Sequence, residues 1–163
     1  MNIASFFLRN GRALAELPAL KEGRRVLLSH GQLLEKAARI AGCLQAQLGL
    51  NPGDRVALVM KNCPAYLELL VAGWYAGLTM VPVNAKLHPR EFSYILEHSG
   101  ARIGFVTPGL TAMVAPLVDD IPTLEQVIEV SGAHRLDRAD PIPMVDVLPA
   151  AVAWLFYTSG TTG

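Results

Sequence analysis

Apolar residues recur along this chain at two different periods, and the switches between them predict its elements. Leu33, Ala37, Ile40/Ala41, Leu44 and Leu48 follow helical spacing, with Glu35, Lys36, Arg39 and Gln47 between them. This predicts an amphipathic helix that begins at Ser29, where Ser29 and Gln32 have capping-box spacing, and closes at Gly49. Residues 55–60, 79–83, 102–107 and 126–130 are short runs rich in apolar residues, the pattern of buried strands. Helices are predicted between them: one from Pro64 to Ala76, stopped by Gly77, one from Pro89 to Ser99-Gly100, and a weaker one over 111–118. Nearer the start, residues 3–10 read as a short helix, and Pro18-Ala19-Leu20 and Val26-Leu27-Leu28 as a hairpin turning at Gly23. From residue 55 onward, strand and helix alternate, which predicts βαβ units and a mainly parallel sheet flanked by helices. Residues 131–150, with Pro141, Pro143 and Pro149, break the alternation and read as a surface connection; residues 151–157 return to strand.

Residues 65–83 are nearly all apolar and long enough to span a bilayer. Glu68, Gly73, Gly77 and Pro82 argue instead for a buried helix turning into a buried strand, so no transmembrane segment is expected. Across the 163 residues, hydrophobic side chains make up 52% and charged ones 17%. That balance suits a buried parallel sheet, and equally a piece whose partner domains cover part of its surface. Lys+Arg and Asp+Glu number 14 each, so no basic stripe points to nucleic acid. Cys43 and Cys63 are too few for a disulfide framework, which places the chain in the cytoplasm with reduced thiols. His30, His88, His98 and His134 are scattered; surface or capping roles outweigh metal ligation, and no metal site is expected. The apolar start before Arg9 and Arg12 is too short for a signal peptide.

The chemistry concentrates at the end of the sequence, where Trp154-Leu155-Phe156-Tyr157 opens into Thr158-Ser159-Gly160-Thr161-Thr162-Gly163. Hydroxyl donors and glycines that let backbone N–H groups converge suit a polyanion. The same residues also make ordinary polar turns, and the loop alone divides the two readings evenly. It is not a Walker A loop, and no Gly-x-Gly-x-x-Gly fingerprint is present. A functional loop at a fraying chain end suggests the front part of a larger enzyme, with the remainder absent.

Context favours phosphate. Residues 157–163 are similar to the first seven positions of the phosphate loop of adenylate-forming (AMP-binding) enzymes, in particular acyl-CoA synthetases of the fatty-acid-CoA ligase type. Upstream, Leu28-Ser29-His30-Gly31-Gln32-Leu33, Asn51-Pro52-Gly53-Asp54-Arg55-Val56-Ala57, the stretch from Ala76 to Asn84 and Tyr94-Ile95-Leu96-Glu97-His98-Ser99-Gly100-Ala101-Arg102 resemble family segments in the right order. His30, Gln32 and His88 depart from the usual residues at helix starts. The loop's lysine, the adenine- and metal-gripping motif, the ribose-binding aspartate and the C-terminal-domain lysine are not within the 163 residues.

The resemblance implies the N-terminal subdomain of the large domain of an acyl-CoA synthetase-like α/β fold, with residues 1–163 a partial AMP-binding domain. It implies a ligase that activates a carboxylic (fatty) acid with ATP and Mg2+ as an acyl-adenylate, then transfers the acyl group to CoA. Thr158, Ser159, Gly160, Thr161, Thr162 and Gly163 would contact the ATP phosphates; no catalytic residue is expected within the fragment, which should be inactive alone, bind ATP weakly and self-associate. The alternatives are an adenylation domain serving an amino acid and a carrier protein, or a non-catalytic interaction module. Asp119-Asp120, Asp137 and Asp140 read as solvated loops, Trp74 as core and Arg24-Arg25 as a solvated hairpin edge.

Overall fold

The computed structural model describes residues 1–131 and 136–158. The chain forms two compact units. The first comprises Met1–Gly53, Asn62–Leu78 and Arg135–Ala153; the second comprises Asp54–Lys61, Thr79–His134 and Trp154–Gly163.

In the first unit, α1 (Ser5–Ala13) precedes an antiparallel hairpin of β1 (Pro18–Glu22) and β2 (Arg25–Ser29), then α2 (His30–Ala46) and α3 (Pro64–Tyr75). The capping box at Ser29 forms as its spacing predicts: Ser29 Oγ accepts from the Gln32 N–H at 3.3 Å and Gln32 Oε1 from the Ser29 N–H at 2.9 Å. The periodic apolar face of α2, including Leu33, Ala37, Ile40, Ala41 and Leu44, is buried, and α2 packs on α3. Every residue of α3 from Glu68 to Tyr75 is buried. Glu68 is tolerated there because Lys36 Nζ of α2 lies 2.8 Å from its carboxylate. No helix among the described residues is long and apolar enough to cross a membrane.

Residues 136–150 run along these helices. The Ile142 N–H donates to the Ala38 carbonyl, and the Val145 N–H to the Tyr75 carbonyl at 2.9 Å. Gly42 permits this approach, since a Cβ there would stand 2.2 Å from the Asp140 carbonyl oxygen. Asn2 is buried and saturated: its amide donates to the carbonyls of Trp74 and Val145 while Oδ1 accepts from the Ala4 N–H. Trp74 is core, its indole N–H bonded to the Ala153 carbonyl.

The second unit is built on a parallel sheet of β3 (Arg55–Met60), β4 (Thr79–Asn84), β5 (Ile103–Val106) and β6 (Gln126–Glu129), in the order β4-β3-β5-β6. Ala57, Val59, Val81, Val83 and Val106 point to one face, where they meet Phe92, Ile95 and Leu96 of α4 (Pro89–Ser99) in a continuous apolar cluster. The α/β class and parallel topology expected from strand–helix alternation are those observed.

Two expectations change. The helix expected over 111–118 is two single turns, α5 (Thr111–Val114) and α6 (Leu117–Asp120). Pro116, which lacks an N–H, separates them. The strand expected over 151–157 makes one isolated bridge, Trp154 beside Met80, with the Leu155 N–H donating to the Met80 carbonyl at 3.0 Å. The next rung of a parallel ladder would need an N–H from residue 82, and Pro82 has none.

Candidate phosphate-binding site

All four strands of the second unit's sheet point the same way, so the sheet has two chemically distinct edges. At the N-terminal edge, Asp54, Arg102 and Glu125 each stand just before a strand. Arg102 Nε and Nη2 donate to Glu125 at 2.6 and 2.9 Å, and Nη1 donates to Asp54 Oδ2. These bonds to the two carboxylates push the guanidinium pKa above its ordinary value. The cluster ties together the starts of three strands and has the character of a structural clamp.

The C-terminal edge is where open α/β sheets place ligands. The Trp154–Met80 bridge is parallel, so residues 155–158 run toward this edge. Leu155 and Tyr157 pack against the apolar cluster, while Trp154 and Phe156, 38% and 64% exposed, face away. Thr158 emerges exposed beside Tyr157. It lines an open cavity of about 430 Å³ together with Asn84, Leu87, Glu91, Tyr94 and Tyr157. The floor is apolar and the rim carries hydroxyl and amide groups.

Helix α4 forms one wall, and its start is well fixed. His88 replaces the Ser or Thr usual at such a cap and performs the same work: Nδ1 accepts from the Arg90 N–H at 3.2 Å, while Glu91 Oε2 accepts from the His88 N–H at 2.8 Å. Glu91 is therefore engaged at the helix start. Near the other end of α4, His98 Nδ1 lies 2.8 Å from the Tyr157 hydroxyl. Tyr94 stacks on His98 with ring centroids 5.4 Å apart, and both meet the Tyr157 ring edge-on. Burial raises the Tyr157 pKa, with Tyr94 adding to the effect, so the Tyr157 hydroxyl keeps its proton at neutral pH. Periodicity does not reveal this trio, because residues 94, 98 and 157 meet only through the topology. The one signal available was His98 on the exposed side of the predicted helix.

Of the six residues expected to contact phosphate, Thr158 is placed at this rim. Ser159, Gly160, Thr161, Thr162 and Gly163 lie outside the described residues. No group of three or more His, Cys, Asp or Glu side chains among the described residues could hold a metal. The donor chemistry around Thr158 fits phosphate oxygens, which accept hydrogen bonds from neutral hydroxyls.

The sequence profile of the AMP-binding enzyme family matches residues 7–163. This chain belongs to the AMP-binding enzyme family. Among similar sequences are a feruloyl-CoA synthase from an Amycolatopsis species, 37% identical over 164 residues that cover 99% of this chain and 31% of the relative. A fatty acid–[acyl-carrier-protein] ligase, ScoC, from Streptomyces coeruleorubidus is 40% identical over 148 residues, 88% of this chain and 28% of the relative. The inhibitor-bound N-terminal domain of FACL13 from Mycobacterium tuberculosis superposes with a TM-score of 0.84 at 31% identity, covering 99% of this chain and 42% of that one. The chain spans less than a third of the length of these two curated relatives. The fold thus matches the family resemblance that the ordered segments carry.

Proposed function

We propose that residues 1–163 are the front part of the AMP-binding domain of an ATP-dependent acid–thiol ligase, with residues 131–150 a surface connection. In the first step a carboxylate oxygen of a fatty or aromatic acid attacks the α-phosphorus of ATP. The new O–P bond forms as the bond from that phosphorus to the α,β-bridging oxygen breaks, releasing pyrophosphate. In the second step the thiol sulfur of CoA attacks the acyl carbon, AMP leaves with the bonding pair, and the thiol proton goes to solvent. Charge develops on the departing pyrophosphate, and neutral donors aimed at it stabilise the transition state.

Thr158, Ser159, Gly160, Thr161, Thr162 and Gly163 supply those donors to the β- and γ-phosphates. Mg2+ would come with the ATP, and no described residue at this edge is assigned to it. The observation that carries this reading is the family match over residues 7–163 together with 37% identity to a CoA ligase. A carrier-protein thiol in place of CoA is the second reading, favoured by the 40% identity to a ligase that serves an acyl-carrier protein. The 163 residues alone contain no catalytic side chain in this scheme and turn over nothing; lacking cover for exposed Phe156 and Val152, they self-associate. The protein works in the cytoplasm.

The test uses the complete gene product with ATP, Mg2+ and a panel of fatty and aromatic acids. Acid-dependent pyrophosphate release, followed by acyl-CoA and AMP when CoA is added, supports the ligase. Acyl-adenylate that is discharged only by a carrier protein supports the second reading, and no acid-dependent release sinks both. Thr158→Val should lower turnover by about 10- to 100-fold, toward the range seen for loss of one preorganised donor, with the denaturation midpoint unchanged.

A further inference from the structure

The terminal strand is held to its sheet by one bridge, and Pro82 removes the rung that would follow it. Backbone pairing therefore does not set the position of residues 157 and 158; side chains must. Leu155 and Tyr157 pack on the apolar cluster, which fixes depth but not rotation. A directional contact at this end of the strand is the His98–Tyr157 hydrogen bond at 2.8 Å. Its helical partner is rigid. Ile95 and Leu96, on the turn that carries His98, are buried in the same cluster, and the start of α4 is locked by a complete capping box. Tyr94 stacks on the imidazole at an interplanar angle of 26° and limits its rotation.

We propose that His98 is a positioning residue: through Tyr157 it sets the place of Thr158 at the rim of the cavity lined by Asn84, Glu91 and Tyr94. The function of this arrangement rests on the phosphate-loop reading above; the anchoring itself does not. The imidazole need not carry charge. A neutral ring can accept the phenol proton at Nδ1 or donate one to the phenol oxygen, so the contact survives either tautomer.

The experiment compares the complete gene product with H98A, H98N and Y157F. Three measurements are made: hydrogen exchange of the Leu155 amide, which donates to the Met80 carbonyl in the bridge that holds this strand, the nitrogen chemical shift of the His98 ring, and affinity for inorganic triphosphate. H98A and Y157F should each speed exchange at this amide by about 5- to 10-fold, the size of one net hydrogen bond, and weaken triphosphate binding by a similar factor. H98N, whose side chain offers a donor and an acceptor close to the Nδ1 position, should recover most of both. Y157F should shift the His98 ring nitrogen, a change that loss of bulk packing alone would not produce. Amides of Ala57 and Val59, deep in β3, serve as the control for global loosening. Unchanged exchange at Leu155 in H98A would overturn the proposal. If exchange rises as expected but the unaltered protein does not bind triphosphate, the anchor stands and the phosphate-loop reading falls.

Discussion

At the N-terminal edge of the parallel sheet, the Arg102 guanidinium is shared by the carboxylates of Asp54 and Glu125 through three hydrogen bonds. At the C-terminal edge the rim carries the amide of Asn84 and the hydroxyls of Tyr94, Tyr157 and Thr158 beside the helix-capping carboxylate of Glu91, over an open cavity. A guanidinium already shared by two carboxylates has little capacity left for a phosphate, and freeing it would expose two negative charges to an anionic ligand. Neutral hydroxyls carry no such debt. They can turn from water to a phosphate oxygen without breaking an ion pair. The sheet thus has a clamp of charged groups bonded to one another at one edge, and at the other a cavity rim where hydroxyls and an amide stand beside the Glu91 carboxylate, itself bonded to the His88 N–H.

Both edges depend on the core between them, and the largest expected effect tests that dependence. Phe92 is completely buried and joins α4 to the sheet. Phe92→Ala should cost about 3–5 kcal/mol, the usual penalty for removing a buried aromatic ring. Denaturant unfolding, followed by exchange at Arg102 and at Leu155, whose amides donate to the Arg55 and Met80 carbonyls, should show both edges lost in one transition. Separate transitions would mean that the two edges do not share a core, and the comparison would fail.

A smaller effect isolates the clamp. Arg102→Met keeps much of the side-chain length but leaves Asp54 and Glu125 facing each other without their cation. Arg102 and Asp54 are partly shielded, while Glu125 is half exposed, which weakens the pair through solvent screening. A loss of about 1 kcal/mol is expected, at the upper end for surface pairs because three charges act together. High salt should shrink the difference between Arg102→Met and the unaltered protein, since screening acts on the charges the variant has lost. Triphosphate affinity should not move. A fall in that affinity would show that the two edges are coupled and that the clamp is more than structural.

How far these edges could be read in the sequence differs in the same way. The strands and α2, α3 and α4 are written in hydrophobic period, which is local, and Glu68 inside an apolar run already argued for a protein interior. The partner that makes Glu68 tolerable, Lys36, sits 2.8 Å away on another helix and has no local signature. His88 shows the same limit: it departs from the usual capping residue, yet its ring nitrogen fills the role because Nδ1 lies near where a Ser oxygen would. At the C-terminal edge, the Thr/Ser/Gly composition and the family resemblance pointed to phosphate. The anchoring by His98 was hidden, because a contact between residues 59 apart depends on which strand the topology lays beside α4. Pro82 was visible throughout; its consequence, a terminal strand held by one bridge, required knowing that its missing N–H faces that strand.

The smallest expected effect distinguishes the edges by pH. Burial raises the Tyr157 pKa above its ordinary value of 10.0, so the folded protein holds the phenol proton more tightly than the unfolded chain does. A raised folded pKa contributes stability that is fully present below the unfolded value and is lost as pH rises through the folded one. Stability should therefore decline on the alkaline side, above about pH 9 to 10, where unperturbed thiols and phenols begin to ionise. Cys43, Tyr66 and Tyr75 share the sign of this shift, each raised by burial, so the decline as a whole belongs to no single edge. The difference between the unaltered protein and Tyr157→Phe removes that shared background. Denaturation midpoints measured across this range should fall less steeply for Tyr157→Phe, while Arg102, whose proton is held more firmly than usual by its two carboxylates, keeps the opposite edge intact. Parallel curves would mean that the Tyr157 hydroxyl is as free in the folded protein as in the unfolded chain, and the contrast between an edge clamped by ion pairs and a rim ordered by a hydrogen-bonded phenol would lose its main side-chain support.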